Sequence, residues 1–196
     1  MHWDLSAYPA DASALDSLPH DDGVVSLSAL RSTYFMAGRL LRAPADPATP
    51  GPYRSASTAQ TSKFPQAELL EWSGLAYRKL SGFFDDPQLP PFTVMFRNNT
   101  LTSKSGTALP GALMATMGVD ADYASVQSLL SHEMTHVFLH GLEPGSWFQE
   151  GLAMVYENRG PFALGLFDAD TYLRNVNGTL LTYYSNVRWN IPMVDA

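Results

Sequence analysis

The sequence predicts an α+β domain, and three observations carry that prediction. Short segments rich in β-branched and aromatic residues, punctuated by glycine and proline, recur through residues 1–121. Segments whose apolar residues return at helical spacing dominate residues 122–196, with one such segment earlier. The order is thus mostly strands, then mostly helices, not the regular alternation that builds a parallel sheet. A length of 196 residues fits one domain, large enough to bury a core without disulfide staples.

Each element has its own signal. Residues 23–43, "GVVSLSALRSTYFMAGRLLRA", read as two or three short strands separated by glycine. Residues 44–65 hold five prolines and little apolar content, so a long loop is expected. From Gln66 to Phe84, Leu69, Leu70, Trp72, Leu75, Ala76, Leu80 and Phe83 repeat at helical spacing. "FTVMFR" (92–97) has the length and composition of a strand. The polar connector "NNTLTSKSGTALPG" follows, then a short strand "ALMATM" (112–117) expected at the sheet edge. Asp120 or Asp122 caps a helix running to about His140, with Gly141 as its stop. "EPGSW" is a turn, and Ser146 with Gln149 forms a capping box opening a helix to about Glu157. Residues Asp168 to Tyr184 complete the chain as a further helix.

Composition removes whole classes of function. Net charge is −7 and no run of Lys or Arg occurs, so the electrostatic footprint of a nucleic-acid binder is missing. The absence of cysteine excludes thiol catalysis and thiolate metal sites, leaving His, Asp and Glu as ligands. No apolar run approaches the ~20 residues that span a bilayer. The stretch "MHWDLSAYPADASALDS" has neither the basic nor the apolar region of a signal peptide, and the compartment stays open.

One segment carries chemistry. From Tyr123 to Leu142 the single formally charged residue is Glu133, inside "SHEMTHVFLH". A lone carboxylate on an apolar helix needs a partner or a task, because burying an unpaired charge is costly. His132 and His136 lie four apart and share a helix face, where both imidazoles can reach one zinc ion at about 2.0–2.1 Å. Glu133, one position round, flanks the ion and can take a proton from the water that the ion activates. A catalytic zinc needs a third protein ligand and one open position. His140 lies about 12 Å from His132 along the helix axis and fits poorly. Glu150 fits better, because a helix returning after a short reversal brings its carboxylate beside the imidazoles. Glu143 is nearer in sequence but precedes Pro144 in the turn, which ranks it behind. The glycine and histidine that a metzincin would place at 139 and 142 are Leu139 and Leu142, so that class is rejected.

"HEMTH" and "WFQEGLA", with thirteen residues between His136 and Glu150, together resemble the gluzincin metallopeptidases, the thermolysin-like group that includes aminopeptidase N and glycyl aminopeptidase. The resemblance covers residues 131–157. "SGTALPGALMATM" is similar to the glycine-containing loop and edge strand preceding the zinc helix in that group. "WDLSAYP" and "STYFMAG" are similar to the stretch that joins a β-rich N-terminal domain to the catalytic domain in the glycyl aminopeptidase branch. The resemblance implies a thermolysin-like zincin domain, a small mixed sheet followed by a zinc-binding helix pair. It also implies zinc on His132, His136 and Glu150, Glu133 as general base, and a peptide or protein substrate.

Departures from the family pattern shape the expectation. The spacer of thirteen residues is shorter than is usual in aminopeptidase N-like members. Met154 stands where thermolysin has an Asp that orients a ligand histidine, which leaves Glu157 and Asn158 as candidates for that task. The family's oxyanion-stabilising tyrosine lies farther beyond the third ligand than the 46 residues available here. Tyr183 and Tyr184 are the nearest stand-ins, and the chain is expected to be a fragment of a longer protein. The expected activity is zinc-dependent peptide-bond hydrolysis, aminopeptidase-like before endopeptidase. The alternative is a zinc-stabilised module that binds peptides and cuts them poorly or not at all.

Overall fold

The computed structural model describes residues 3–18, 25–45, 51–58, 65–85, 91–100, 104–139 and 146–186. Seven strands and five helices are found among them, in the order β1 (Ser13–Asp16), α1 (Leu27–Arg31), β2 (Phe35–Gly38), β3 (Leu40–Ala43), β4 (Tyr53–Thr58), α2 (Gln66–Phe83), β5 (Phe92–Asn98), β6 (Ser105–Leu109), β7 (Ala112–Met117), α3 (Tyr123–Phe138), α4 (Ser146–Ala163) and α5 (Ala169–Asn186). The mixed α+β class expected from the sequence is what the chain adopts.

The main sheet runs β3-β4-β5-β7-β6. Its three inner strands β4, β5 and β7 are mutually parallel, and the two outer strands are antiparallel to their neighbours. Central β5 is buried from Phe92 through Phe96, the continuous apolar signature of a strand covered on both faces. Side chains alternate across it. Val94 and Phe96, with Leu113, Ala115 and Met117 of β7, face α2 and α3 in the larger core. Met95, with Ala56 of β4, faces the other way onto Leu15 and Met36 of the two-stranded β1–β2 sheet. Helix α2 contributes Leu69, Leu70, Ala76, Tyr77 and Leu80 to the larger core, and α3 contributes Val126, Leu130 and Met134.

Several expectations are corrected. Leu27–Arg31 is a short helix instead of a strand, because the Ser26 hydroxyl accepts the Ala29 N–H at 3.1 Å and Leu-Ser-Ala-Leu-Arg suits a helix. The expected loop 44–65 contains β4, a buried inner strand. Its residues Tyr-Arg-Ser-Ala-Ser-Thr carry little apolar signal, and its serine hydroxyls find carbonyl partners, as when Ser55 donates to Ala43 at 3.4 Å. The polar connector after β5 likewise contains β6. That strand, not Ala112–Met117, forms the sheet edge.

Asp122 is the cap of α3, its carboxylate accepting the Ser125 N–H at 2.9 Å. The helix ends at Phe138, and the expected stop at His140 and Gly141 lies outside the described residues. Helix α4 runs past the expected end at Glu157 to Ala163, with Pro161 in its last turn. The side chains of the expected Ser146 cap and of Trp147 lie outside the described residues. No described helix is long and apolar enough to cross a membrane.

Candidate metal centre

Helix α3 turns Leu130 and Met134 into the core, which leaves His132, Glu133 and His136 half-buried on its flank. Helix α4 returns antiparallel beside it. The contacts establish the direction: Ser131 meets Gly160, His132 meets Glu157, and His136 meets Glu150. Rising numbers on α3 pair with falling numbers on α4. A Cβ on Gly160 would stand 2.7 Å from the Ser131 Oγ and 3.1 Å from its Cβ, so this glycine sets how closely the helices approach.

That approach brings three donors together. His132 Nε2 and His136 Nε2 are 3.3 Å apart. Glu150 places Oε2 3.4 Å from the first and Oε1 3.5 Å from the second. A tetrahedral ion with bonds of about 2.0–2.1 Å requires donor–donor edges of about 3.3–3.4 Å. The observed spacings, with a different carboxylate oxygen nearest each imidazole, are of the size that such an ion needs. His132, His136 and Glu150 could hold a metal ion. Glu150 is 59% exposed, so the open side of the triangle faces solvent.

The neighbouring side chains tune these donors. Glu157 Oε2 lies 3.2 Å from His132 Nδ1. A carboxylate there keeps the ring proton on Nδ1 and turns the Nε2 lone pair toward the triangle. The same hydrogen bond holds His132 above the ordinary imidazole range, against burial that pulls it down. Burial holds His136 below that range. Asn158 takes no part, since its amide donates to the Met154 carbonyl of its own helix at 3.4 Å. Met154 itself is exposed.

Glu133, one position round α3 from His132, lies against β6. Gly106 leaves room for it: a Cβ there would overlap the Glu133 Cγ and stand 2.5 Å from Cδ and Oε1. Burial above all raises the Glu133 carboxyl beyond the ordinary range; nearby Glu150 and Glu157 add to this, and His132 opposes it. A cleft of about 440 Å³ opens between Ala108–Pro110, the flank of α3 and Gln149–Glu150 of α4. The Tyr34 phenol stands behind the same strand, donating to the Thr107 carbonyl at 2.8 Å. Burial and then the Glu133 charge hold that phenol above its usual range.

The four residues singled out in the sequence, His132, Glu133, His136 and Glu150, thus converge on one cleft. His140 and Glu143 lie outside the described residues, as do the side chains of Tyr183 and Tyr184 on α5. Gly160 had no sequence signal of its own, and Gly106 sits in what reads as a polar connector, so neither close approach was legible in the sequence.

No family model matches the chain, and neither does any curated protein. A solved structure does share the fold: an aminopeptidase N family protein from Idiomarina loihiensis, with TM-score 0.62 and 13% identity over 83% of this chain. The chain spans about a third of that protein's length, 33%.

Proposed function

We propose that this protein is a zinc metallopeptidase of the thermolysin-like, gluzincin kind, hydrolysing peptide bonds in an aminopeptidase-like manner. The observation that carries the reading is the triangle of His132 Nε2, His136 Nε2 and Glu150 with edges of 3.3–3.5 Å, set beside a carboxylate that is free to act as a base. The fold shared with an aminopeptidase N family protein supports it. Zinc bound by these three residues would polarise the scissile carbonyl and make a water acidic near neutral pH. Glu133 then accepts a proton from the attacking water and delivers it to the leaving amine nitrogen. Its carboxyl, raised above the ordinary range mainly by burial, is a stronger base than an ordinary carboxylate. Glu157 holds His132 in the tautomer that presents Nε2, taking the orienting task that Met154 cannot perform.

Two substitutions test the reading. Glu150→Ala should lower zinc content from near one per chain to a small fraction, measured by elemental analysis after dialysis. Glu133→Gln should keep zinc and lose hydrolysis by orders of magnitude, assayed on free and N-blocked peptides in parallel. Wild-type protein that holds zinc and binds peptides but cleaves neither kind would favour the alternative, a peptide-binding module. Wild-type protein without zinc would end both readings.

A further inference from the structure

We infer that Tyr34 is a positioning residue for Glu133, acting through the edge strand β6; this rests on the peptidase reading above. Among the described residues, strand β6 is the last of its sheet and pairs only with β7. Its Gly106 faces α3 and receives the Glu133 carboxylate. Thr107, the next residue, projects to the opposite face. Its carbonyl accepts the Tyr34 hydroxyl at 2.8 Å, a link across 73 residues of sequence. The phenol works from a fixed base. Tyr34 N–H donates to the Ser17 Oγ at 3.0 Å, and its carbonyl accepts the Ser17 N–H at 3.1 Å. Its ring packs with Met114 against the cluster of Leu15, Met36, Ala56 and Met95. The edge strand is thereby held between a tethered hydroxyl on one side and the Glu133 side chain on the other.

A strand paired on one side only can shift outward, and a shift at Gly106 removes the wall against which Glu133 rests. The metal donors would not feel it, because they sit on α3 and α4. On this reading the influence of Tyr34 on Glu133 passes through the β6 backbone and not through the metal donors.

Tyr34→Phe keeps the ring and removes only the hydroxyl. In the full chain, three readouts are compared with wild type. Zinc affinity by chelator competition should stay within about twofold. Amide exchange at residues 105–109 should accelerate, and kcat on a short peptide should fall with KM unchanged, each by about 2- to 12-fold, the range of one hydrogen bond's net contribution. Gly106→Ala should lower kcat further while keeping zinc. Wild-type exchange and wild-type kcat in Tyr34→Phe would overturn the inference, and so would a tenfold loss of zinc affinity, which would place its effect in the helix pair. If wild-type protein cleaves no peptide, the peptidase reading fails, and unchanged exchange at 105–109 would separately overturn the Tyr34 link.

Discussion

Gly160→Ala tests whether the helix crossing sets the metal geometry. The added methyl would stand 2.7 Å from the Ser131 Oγ, where ordinary contacts begin at 3.4 Å, so about 0.7 Å of separation must be found. Both partners lie in helices and both are buried, and even with the Ser131 hydroxyl turned aside its Cβ would stand 3.1 Å from the added methyl. Helix α4 must therefore back off from α3. Glu157, about one turn away, moves with it, and its 3.2 Å contact to His132 stretches to roughly 3.9 Å, beyond a hydrogen bond. Glu150 lies ten residues from Gly160, about 15 Å along the axis, and moves less if α4 tilts. The loss should thus resemble that of an orienting partner, about 10- to 100-fold in metal affinity. Overpacking should also cost about 1–3 kcal/mol of stability, offset by up to about 1 kcal/mol from better helix propensity. Chelator competition and thermal melting of the zinc-free protein separate the two effects. Adding Ser131→Ala removes the nearer clash and should recover part of the affinity. A Gly160→Ala protein that binds zinc like wild type would refute the claim that this crossing places the ligands.

Further outcomes follow from the same geometry. Glu157→Gln should weaken zinc binding by about 10- to 100-fold, read by chelator competition, while leaving helix content by circular dichroism unchanged. Saturating zinc at about 100 times its Kd should add about 2.7 kcal/mol to stability, raising Tm by roughly 5–11 °C for a chain of this size; no shift would mean that the donor triangle binds no zinc. Leu130→Ala should cost about 2–5 kcal/mol in denaturant melts, since the side chain is fully buried beside β7. Asp122→Ala should cost about 0.5–2 kcal/mol. The Ser125 N–H lowers the Asp122 carboxyl below its ordinary value, so the stabilisation is complete above the unfolded carboxyl's pKa and is lost as pH falls through the folded one. The variant should show a smaller acid-side loss than wild type in pH-dependent melts.

The parts of this fold legible in the sequence are those where one element decides its own structure. Helix α2 is such a case, because eighteen residues with a repeating apolar stripe need no partner to declare their period. The spacing of His132 and His136 is another, since four residues on a helix fix a shared face. Strand β4 illustrates the opposite. Its serines and threonine are strand residues only because β3 and β5 offer ladders on both sides and because the serine hydroxyls find carbonyl acceptors there. Strand β6 has the same dependence, and with it went the identity of the sheet edge. Glu150 was legible because a short connection forces neighbouring helices together. The close contacts at Gly106 and Gly160 were not, because they depend on which residues of distant elements meet.

Those two glycines give the site its logic. Helix α3 is enclosed on one flank by β6 and on the other by α4, and each wall loses its side chain where a residue of α3 fits close. Gly106 admits the carboxylate of Glu133, and Gly160 admits α4 to the depth at which Glu150 and Glu157 reach the imidazoles. Glu133, the proposed proton-transfer group, and the two histidines proposed as metal donors are thus positioned by different neighbours, although all three occupy about one turn of α3. Sites that share no partner contribute additively, whereas residues in one network do not. On that basis a change at Gly106 and a change at Gly160 should combine without interaction in zinc affinity, where only the second acts. A change at Gly160 and one at Glu157 should not, because both pass through the same contact with His132.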